Sequence, residues 1–518
     1  MITSATRWWA LAALTLTVLA VGLDGTILSV ALPTLSIALT ASEAELQWFF
    51  SGYLLVLAAA MLPAALLGDR YGRKKVILIA LVLFGVGSIA CAYAPSPGAF
   101  IAARVVLGIA GATLIVTALS TLSVLFSEAE RPRAVGIWAA TNFVALPLGP
   151  ILGGWLLTHK WWGWIFLMNV PVTIVGLIAV IVLLPESRAA NQPGLDLMGV
   201  VFSSAGLAAV TYGLIEAGQS GWTGIHALAG ILGGFALLTV FFAWERRLTR
   251  RPGGQPLVDL ALFRSAAFTW GVILAAIGAL AMVVVLFTMP QYFQGVLGTD
   301  AQGSGFRLLP LIAGLVLGAV PADRVAARVG AKITVALGFA LVAAAMIVAS
   351  TTSMSSSEGF VDAWMAVVGV GLGLVIATTA SAALSALSME RSGIGSAVLQ
   401  SVQKVGAPFG ATIVGSVLNS AYRGRLDSTG LPPAAASVVR DSIFGGVAVA
   451  HRLHSALLLR SVRVAFVHGM DGALTVSAGI AATGLVLALI FLPGQVPKSA
   501  EQAEWEYEPE READALVT

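Results

Sequence analysis

The sequence is a succession of long apolar stretches separated by short clusters of charged and turn-forming residues. Each stretch holds about 20 residues, and an apolar helix of that length crosses the ~30 Å hydrocarbon core of a bilayer. The pattern predicts fourteen membrane-spanning helices and therefore an all-α, polytopic membrane protein. Their expected limits are 8–30, 47–68, 75–94, 98–120, 134–157, 164–184, 197–215, 224–244, 266–289, 305–321, 332–350, 362–385, 394–418 and 470–492.

The composition supports this class and excludes several others. Of the 518 residues, 58% are hydrophobic and only 11% are charged, too few charges to cover a soluble protein of this size. The single cysteine, Cys91, provides neither a disulfide framework nor a cysteine metal site. The sequence contains no phosphate-binding loop, nucleophile–base pair or metal-ligand cluster. We therefore expect that the protein is not an enzyme and has no cofactor, metal or nucleic-acid partner. An ion gradient or a partner would have to supply the energy for any active process.

The basic residues distribute unevenly when the spans are assigned to alternating sides. The side that carries both termini collects 19 Lys and Arg, whereas the short loops opposite hold only Lys160 and Arg307. The long connection 419–469 adds six arginines, but loops of that length translocate despite their charge. The positive-inside rule therefore predicts both termini in the cytoplasm, with the chain in the cytoplasmic (inner) membrane. A charged segment at 497–518 forms an acidic cytoplasmic tail.

The fifth span concentrates residues that are uncommon in water-soluble helices. "GIWAATNFVALPLGPILGG" (136–154) contains two prolines, and Ala145, Gly149 and Gly153 recur every four residues. Small residues at this spacing allow helices to approach closely, and prolines are tolerated where neighbouring helices compensate. The residues alone leave open whether this is a packing face or a functional one.

The loop after the second span provides a more specific pattern. "LLGDRYGRKKVIL" places Asp69, Gly72 and Arg73 in a tight turn, and it resembles the signature loop of the major facilitator superfamily, with Ala65 in place of its first glycine. Four further resemblances to exporters of this superfamily follow in the expected order. They are Leu23–Pro33 ("LDGTILSVALP"), Arg104 with Gly108, the antiporter pattern at Gly136, Gly149, Pro150, Gly153 and Gly154 (with Ala145 for its second glycine), and Trp162–Pro171 ("WGWIFLMNVP", with Gly163 for arginine).

Five motifs in order and fourteen spans resemble the fourteen-helix drug–proton antiporter family, which includes multidrug and antibiotic exporters. The resemblance implies a major facilitator fold of two six-helix bundles with two inserted helices. The expected domains are 1–194 for the first bundle, 195–250 for the inserted helices, 251–496 for the second bundle with a long outer loop at 419–469, and the tail 497–518.

The resemblance also implies roles for motif residues. The glycine-rich fifth helix is expected at the interface of the two bundles, where it favours exchange over leak. Asp69, Gly72 and Arg73 are expected to belong to a cytoplasmic gate. The equivalent loop of the second bundle, "PADRVAARVGAK", is degraded, with Ala327 where an acid is expected.

Three ionisable residues are expected inside the membrane. Burying a charge there costs free energy, so such residues are candidates for a functional role. Asp24 lies about 24 Å along the first span and Arg104 about 9 Å into the fourth, which runs in the opposite direction, so both fall at similar depth. They form either a static ion pair or a proton-coupling pair. In the second case burial favours the neutral form of the Asp24 carboxyl, whereas the nearby guanidinium favours the charged form. Lys404 lies about 15 Å into the thirteenth span, near the midplane, and is a candidate for the substrate cavity.

The resulting functional hypothesis is proton-coupled export of hydrophobic drugs or antibiotics, which confers resistance. The expected partners are a small hydrophobic substrate, protons and the lipid bilayer, and the expected state is a monomer. Two alternatives remain: a proton-coupled solute symporter on the same fold, and a transport-inactive membrane receptor. The antiporter pattern argues against the first, although a fold alone fixes no direction of transport.

Overall fold

The computed structural model describes residues 4–126, 130–188, 196–251, 254, 256–258, 260, 262–387, 389–427 and 431–494. The tail expected at 497–518 lies outside these ranges. Within them the chain is helical and contains no β-strand. The first seven helices are α1 Ser4–Ala38, α2 Glu43–Tyr71, α3 Arg73–Ala92, α4 Pro97–Leu125, α5 Arg131–His159, α6 Trp164–Leu167 and α7 Asn169–Leu183.

Two helices then precede the second half of the chain. These are α8 Leu197–Ser220 and α9 Ile225–Thr249. The remaining helices are α10 Ala266–Gln291, α11 Ala301–Phe306, α12 Leu309–Ala319, α13 Ala322–Val329, α14 Ala331–Ala349, α15 Glu358–Ser385, α16 Met389–Arg425, α17 Pro433–Asp441, α18 Ile443–Arg452 and α19 Ala456–Phe491. A π-helical turn at Tyr292–Val296 extends α10.

Twelve helical segments in the described ranges are long and apolar enough to cross a membrane. They coincide with twelve of the fourteen predicted spans. The fifth and thirteenth predicted spans fall on α5 and α16, which are not among the twelve although they contain 29 and 37 residues. The chain is therefore a multi-pass membrane protein.

The predicted outer loop at 419–469 differs most from the structure. Helix α16 continues to Arg425, α17 and α18 follow, and α19 begins at Ala456, so most of the described part of this segment is helical. The hydropathy pattern ends each span at the first cluster of charges, because charges are excluded from the bilayer. A helix needs only its own backbone hydrogen bonds, and it continues beyond the membrane without a change in its geometry.

The buried apolar side chains form two large cores. One consists mainly of residues from Ala10 to Leu184, and the other mainly of residues from Leu274 to Leu492. We call α1–α7 the first bundle, and α10–α16 with α19 the second bundle. Each bundle buries its own apolar faces, and Val283 and Phe287 of the second bundle pack into the first core.

Two glycines form equivalent turns in the two bundles. Gly72, between α2 and α3, and Gly330, between α13 and α14, have φ values of 108° and 86°. These backbone conformations are readily adopted only by glycine. We call the side of the molecule that holds these two turns the basic end, and the opposite side the far end. The same turn at both positions gives the two halves of the chain a common local structure.

The two bundles contact each other through the far-end halves of their helices. The Ser51 hydroxyl of α2 donates to the Pro408 carbonyl of α16 at 3.3 Å and accepts from Thr412 at 3.1 Å. The Gln294 amide donates to the Val30 carbonyl of α1 at 3.0 Å. These hydrogen bonds between the bundles lie in this half of the molecule, so the far end is closed.

Glycines bring α5 and α11 into backbone contact at this end. A Cβ added to Gly154 would lie 2.5 Å from the Ala301 carbonyl oxygen, and one added to Gly305 would overlap the Pro150 carbonyl. Neither position has room for a side chain without movement of the opposite backbone. Gly154 of the antiporter pattern therefore contacts the second bundle.

The stripe of small residues on α5 faces α1, within the first bundle. A Cβ at Gly149 would overlap the Thr26 side chain, one at Gly153 would overlap Ile27, and one at Gly22 would lie 2.7 Å from the Ala145 Cβ. The stripe expected at the bundle interface therefore packs inside one bundle, because its periodicity defines a close-packing face without defining the partner. Gly136 lies near the start of the same helix.

Gly149→Leu should therefore destabilise the first bundle. The extra side chain would overlap Thr26, and overpacking of this kind costs about 1–3 kcal/mol. We expect a melting temperature several degrees below that of the wild type in detergent, measured by intrinsic fluorescence. Gly233→Leu is the matched control, since no atom lies within 4 Å of its added Cβ. An unchanged melting temperature together with lost transport would instead indicate a moving interface at Gly149.

Candidate functional site

A cavity lies between the two bundles, with about 1210 Å³ of space unfilled by atoms, including open solvent. Helices α1, α2, α4 and α5 line one side, and α10, α12, α15 and α16 line the other. Its wall is almost entirely apolar. The polar exceptions among the described lining residues are Thr26, Tyr53, Gln403 and Lys404. An apolar cavity with a few polar groups is the usual form of a site for a small hydrophobic ligand.

Lys404 is the one charged residue among those that line the cavity. It lies on α16 beside Gln403, where the sequence predicted a midplane lysine. No ion pair between Lys404 and a carboxylate occurs within the described ranges. The cavity wall therefore carries an amine that has no carboxylate partner in the described residues.

Asp24 and Arg104 form an ion pair inside the first bundle. Arg104 Nη1 donates to Asp24 Oδ2 at 2.6 Å, and the side chains are 1% and 0% exposed respectively. The similar depth predicted for the two residues corresponds to this direct contact. Arg104 Nε also donates to the Phe49 carbonyl at 3.4 Å, so α1, α2 and α4 meet at the pair.

The helix spacing around Arg104 depends on Gly108, one turn further along α4. A Cβ at Gly108 would lie 3.0 Å from both the Tyr53 carbonyl oxygen and the Val56 Cβ of α2. The glycine therefore keeps α4 close to α2, which is what allows the guanidinium to reach the Phe49 carbonyl. The spacing of arginine and glycine in "RVVLG" has a direct structural explanation.

Asn169 and Ser88 complete the polar surroundings of Asp24. Asn169 Nδ2 lies 3.5 Å from Asp24 Oδ1 and 3.3 Å from the Ser88 hydroxyl. Sequence reasoning quoted the segment that contains Asn169 but assigned the residue no role. A buried amide in an otherwise apolar span was the available signal, since buried polar groups are normally hydrogen-bonded.

Tyr53 lies between the ion pair and the cavity. Its ring centroid is 4.0 Å from Arg104 Cζ, and its hydroxyl donates to the Val21 carbonyl at 3.3 Å. Tyr53 lines the cavity, whereas Asp24 and Arg104 are not among the lining residues. A ligand in the cavity would therefore contact the aromatic ring and not the carboxylate.

The loop at the basic end is held within the first bundle. Asp69 Oδ1 accepts two hydrogen bonds from Arg73, at 2.8 and 3.0 Å. The Lys74 amide donates to Glu186 at 3.2 Å, and the Arg73 amide donates to the Ser187 carbonyl at 2.9 Å. Glu186 also lies against Gly72, where an added Cβ would be 2.5 Å from its carboxylate. No hydrogen bond from this loop to the second bundle is present in the described part of the chain.

Glu43 and Glu245 are buried acids that the sequence analysis did not identify. Glu43, 3% exposed at the start of α2, lies 3.5 Å from the Gln291 amide of α10, across the far-end contact between the bundles. Glu245 of α9 is fully buried and accepts from the Val258 amide at 3.1 Å. Both lie near the ends of predicted spans, where an acid usually lies at the membrane–water interface. Hydropathy does not reveal which neighbouring residues bury the two side chains.

Known proteins resemble this chain over nearly its full length. The profile of the Major Facilitator Superfamily matches residues 14–197 and 196–411. The tetracenomycin C resistance and export protein of Streptomyces glaucescens is 32% identical over 494 residues, covering 93% of this chain and 91% of that protein. The multidrug efflux pump LfrA of Mycolicibacterium smegmatis is 30% identical over 490 residues, covering 94% of each chain.

A solved structure supports the same fold. It is that of a bacterial homolog of the human lysosomal transporter Spinster, inward-facing and unoccupied, with a TM-score of 0.67 and 16% identity. The match covers 95% of this chain and 98% of that one. The profile match and the two efflux relatives show that the chain belongs to the Major Facilitator Superfamily and, within it, to the drug-efflux family.

Proposed function

We propose that this protein exports hydrophobic drugs or antibiotics across the cytoplasmic membrane in exchange for protons, and so confers resistance. The observation that carries the proposal is the apolar cavity between the bundles, separated by Tyr53 from a buried Asp24–Arg104 pair. The names of both relatives, an antibiotic resistance and export protein and a multidrug efflux pump, support the same function. One chain forms the whole cavity, which supports action as a monomer.

The proposed topology has fourteen transmembrane helices. Helices α5 and α16 would add two spans to the twelve, and their lengths of 29 and 37 residues exceed what ~30 Å of hydrocarbon requires. The excess of Lys and Arg then assigns the basic end and both termini to the cytoplasm. Residues 1–194, 195–250 and 251–496 are the proposed bundle, inserted pair and bundle, followed by the tail 497–518.

The contacts between bundles support a cytoplasm-facing state. They close the far end, whereas the hydrogen bonds of the gate loop (Asp69, Gly72 and Arg73) stay within the first bundle in the described part of the chain. Substrate would enter the cavity from the cytoplasm. Rocking of the bundles would then separate Gly154 from Ala301 and engage the gate loop with the second bundle. Contacts that are exclusive to one state are what such a two-state transition requires.

Proton coupling would act through the ion pair. Protonation of Asp24 removes the charge that holds Arg104, and the guanidinium then shifts toward its other partner, the Phe49 carbonyl, or toward the Tyr53 ring. Because Tyr53 also lines the cavity, its movement would change the wall that the substrate contacts. Asn169 orients the carboxyl by holding its second oxygen.

The proposed topology is tested by labelling single cysteines with a membrane-impermeant maleimide. In a Cys91→Ser background, Tyr71→Cys and Leu387→Cys should react only from the cytoplasm, and Lys160→Cys and Ala434→Cys only from outside. Lys160 follows α5, Leu387 and Ala434 lie on either side of α16, and Tyr71, at the end of α2, marks the basic end. Reaction of Lys160→Cys or Ala434→Cys from the cytoplasm alone would show that the corresponding helix does not cross.

Asp24→Asn should abolish uphill efflux driven by an imposed pH gradient in proteoliposomes, while substrate counterflow without a gradient continues. The amide keeps a hydrogen-bond acceptor for Arg104 but cannot exchange a proton. Glu358→Gln, which removes a 61% exposed acid paired with Arg307, is the control and should transport normally. Uphill efflux by Asp24→Asn at the wild-type rate would remove Asp24 from the coupling role.

Lys404 should set the charge preference of the cavity. The wild type is expected to confer resistance to neutral, zwitterionic or weakly acidic antibiotics in preference to dicationic biocides, because an ammonium repels cations. Lys404→Glu should shift resistance toward cations, measured as minimum inhibitory concentrations across a compound panel. Lys404→Met should weaken the preference without reversing it. Strong resistance of the wild type to dications, with none to neutral or acidic compounds, would contradict this assignment.

A further inference from the structure

Helix α9 is the most lipid-accessible helix of the inserted pair. It packs principally against α8, and much of the rest of its surface before Glu245 is apolar and exposed. Exposed side chains on that surface include Leu232 (65%), Phe235 (55%) and Phe242 (56%). In a membrane this face contacts acyl chains directly.

Four arginines end this helix at the basic end. Arg246, Arg247, Arg250 and Arg251 are all exposed, and together with Thr239, Phe242 and Ala243 they line a shallow pocket. At about 100° per residue, the four positions cover an arc of roughly 140° on one side of the helix. The small residues Thr239 and Ala243 lie directly below the arginines, on the same side.

The nearby carboxylates do not neutralise this cluster. Asp196 accepts hydrogen bonds from the Gly199 amide and from Trp244 Nε1, each at 3.0 Å. Glu245 is buried on the opposite side of α9, against the Val258 amide. No ion pair to any of the four arginines occurs among the described residues. Four positive charges therefore face the membrane boundary without a protein partner there.

We propose that the basic end of α9 binds an anionic phospholipid whose headgroup carries two phosphates, as in cardiolipin. Arg246 with Arg250, and Arg247 with Arg251, form two pairs that are each one helical turn apart. Each pair spans the width of one phosphate, whose oxygens accept paired guanidinium hydrogen bonds. A headgroup with two phosphates therefore matches both pairs at once.

The surface below the arginines accommodates the acyl chains of the same lipid. The stripe of Leu232, Thr239 and Ala243 runs along α9 toward the bilayer centre, with the Phe235 and Phe242 rings beside it. Thr239 and Ala243 line the shallow pocket below the arginines, and the Phe242 ring forms its apolar wall. Headgroup and chain contacts thus lie on one helix face in the order that a lipid presents them. A basic pocket at the membrane boundary is the expected form of such a site.

The test compares lipid binding by the purified full-length protein with that of two double variants. Arg246→Gln/Arg250→Gln removes one pair of the proposed site. Arg324→Gln/Arg328→Gln removes a matched, exposed pair from α13 at the same end. Native mass spectrometry with added cardiolipin gives the affinity, and the melting temperature in detergent with and without cardiolipin gives an independent readout.

We expect the α9 variant to bind cardiolipin at least about tenfold more weakly than the wild type and to lose the cardiolipin-dependent rise in melting temperature. The α13 variant should retain both. Phosphatidylcholine and inorganic phosphate should not displace cardiolipin from the wild type. Wild-type affinity in the α9 variant, an equal loss in the α13 variant, or displacement by inorganic phosphate would each overturn the proposal. Unaltered melting of both lipid-free variants establishes that they fold.

Discussion

The Asp24–Arg104 pair lies where neither partner contacts water, and its position requires the surrounding helices to be arranged as they are. A buried charge without its partner costs about 3–5 kcal/mol, so the two side chains must stay within hydrogen-bonding distance whenever both are charged. That distance depends on Gly108, which keeps α4 close to α2. It also depends on Asn169, which brings α7 to the second carboxylate oxygen. One polar contact thus sets the relative positions of four apolar helices that would otherwise pack in many ways.

The depth of a residue in the membrane could be predicted from the sequence, whereas the side of the helix that faces each neighbour could not. The bilayer selects apolar stretches of a minimum length, so the predicted spans coincide with helices of the structure. The fixed rise per residue also predicted that Asp24 and Arg104 lie at the same level. Which side of each helix faces a neighbour depends on packing between distant segments. For that reason Tyr53 and Asn169, which surround the pair, were not recognised, and Glu43 was not identified as a buried residue.

The fifth helix illustrates the same limit. A repeat of small residues every four positions predicts a close contact, and the structure contains one at Gly149 and Gly153. The repeat carries no information on the partner, which is α1 of the same bundle. Gly154, one residue outside the repeat, is the position that contacts α11 of the other bundle. Neighbouring glycines of one motif therefore serve two interfaces, one inside the first bundle and one between the two bundles.

The position of Tyr53 has an electrical consequence. Because its ring lies between the carboxylate and the cavity, the exported molecule and the proton do not share a binding site. The exported molecule therefore does not need a positive charge to take the place of the proton. If Asp24 alone carries one proton inward per cycle, export of an uncharged compound moves one net positive charge into the cell. The membrane potential then contributes about 2.3 kcal/mol per 100 mV to each cycle. Exchange of a monovalent cation for the same proton would be electrically silent. The voltage across the membrane would accordingly favour the export of uncharged compounds over that of cations, even for two molecules that bind the cavity equally well.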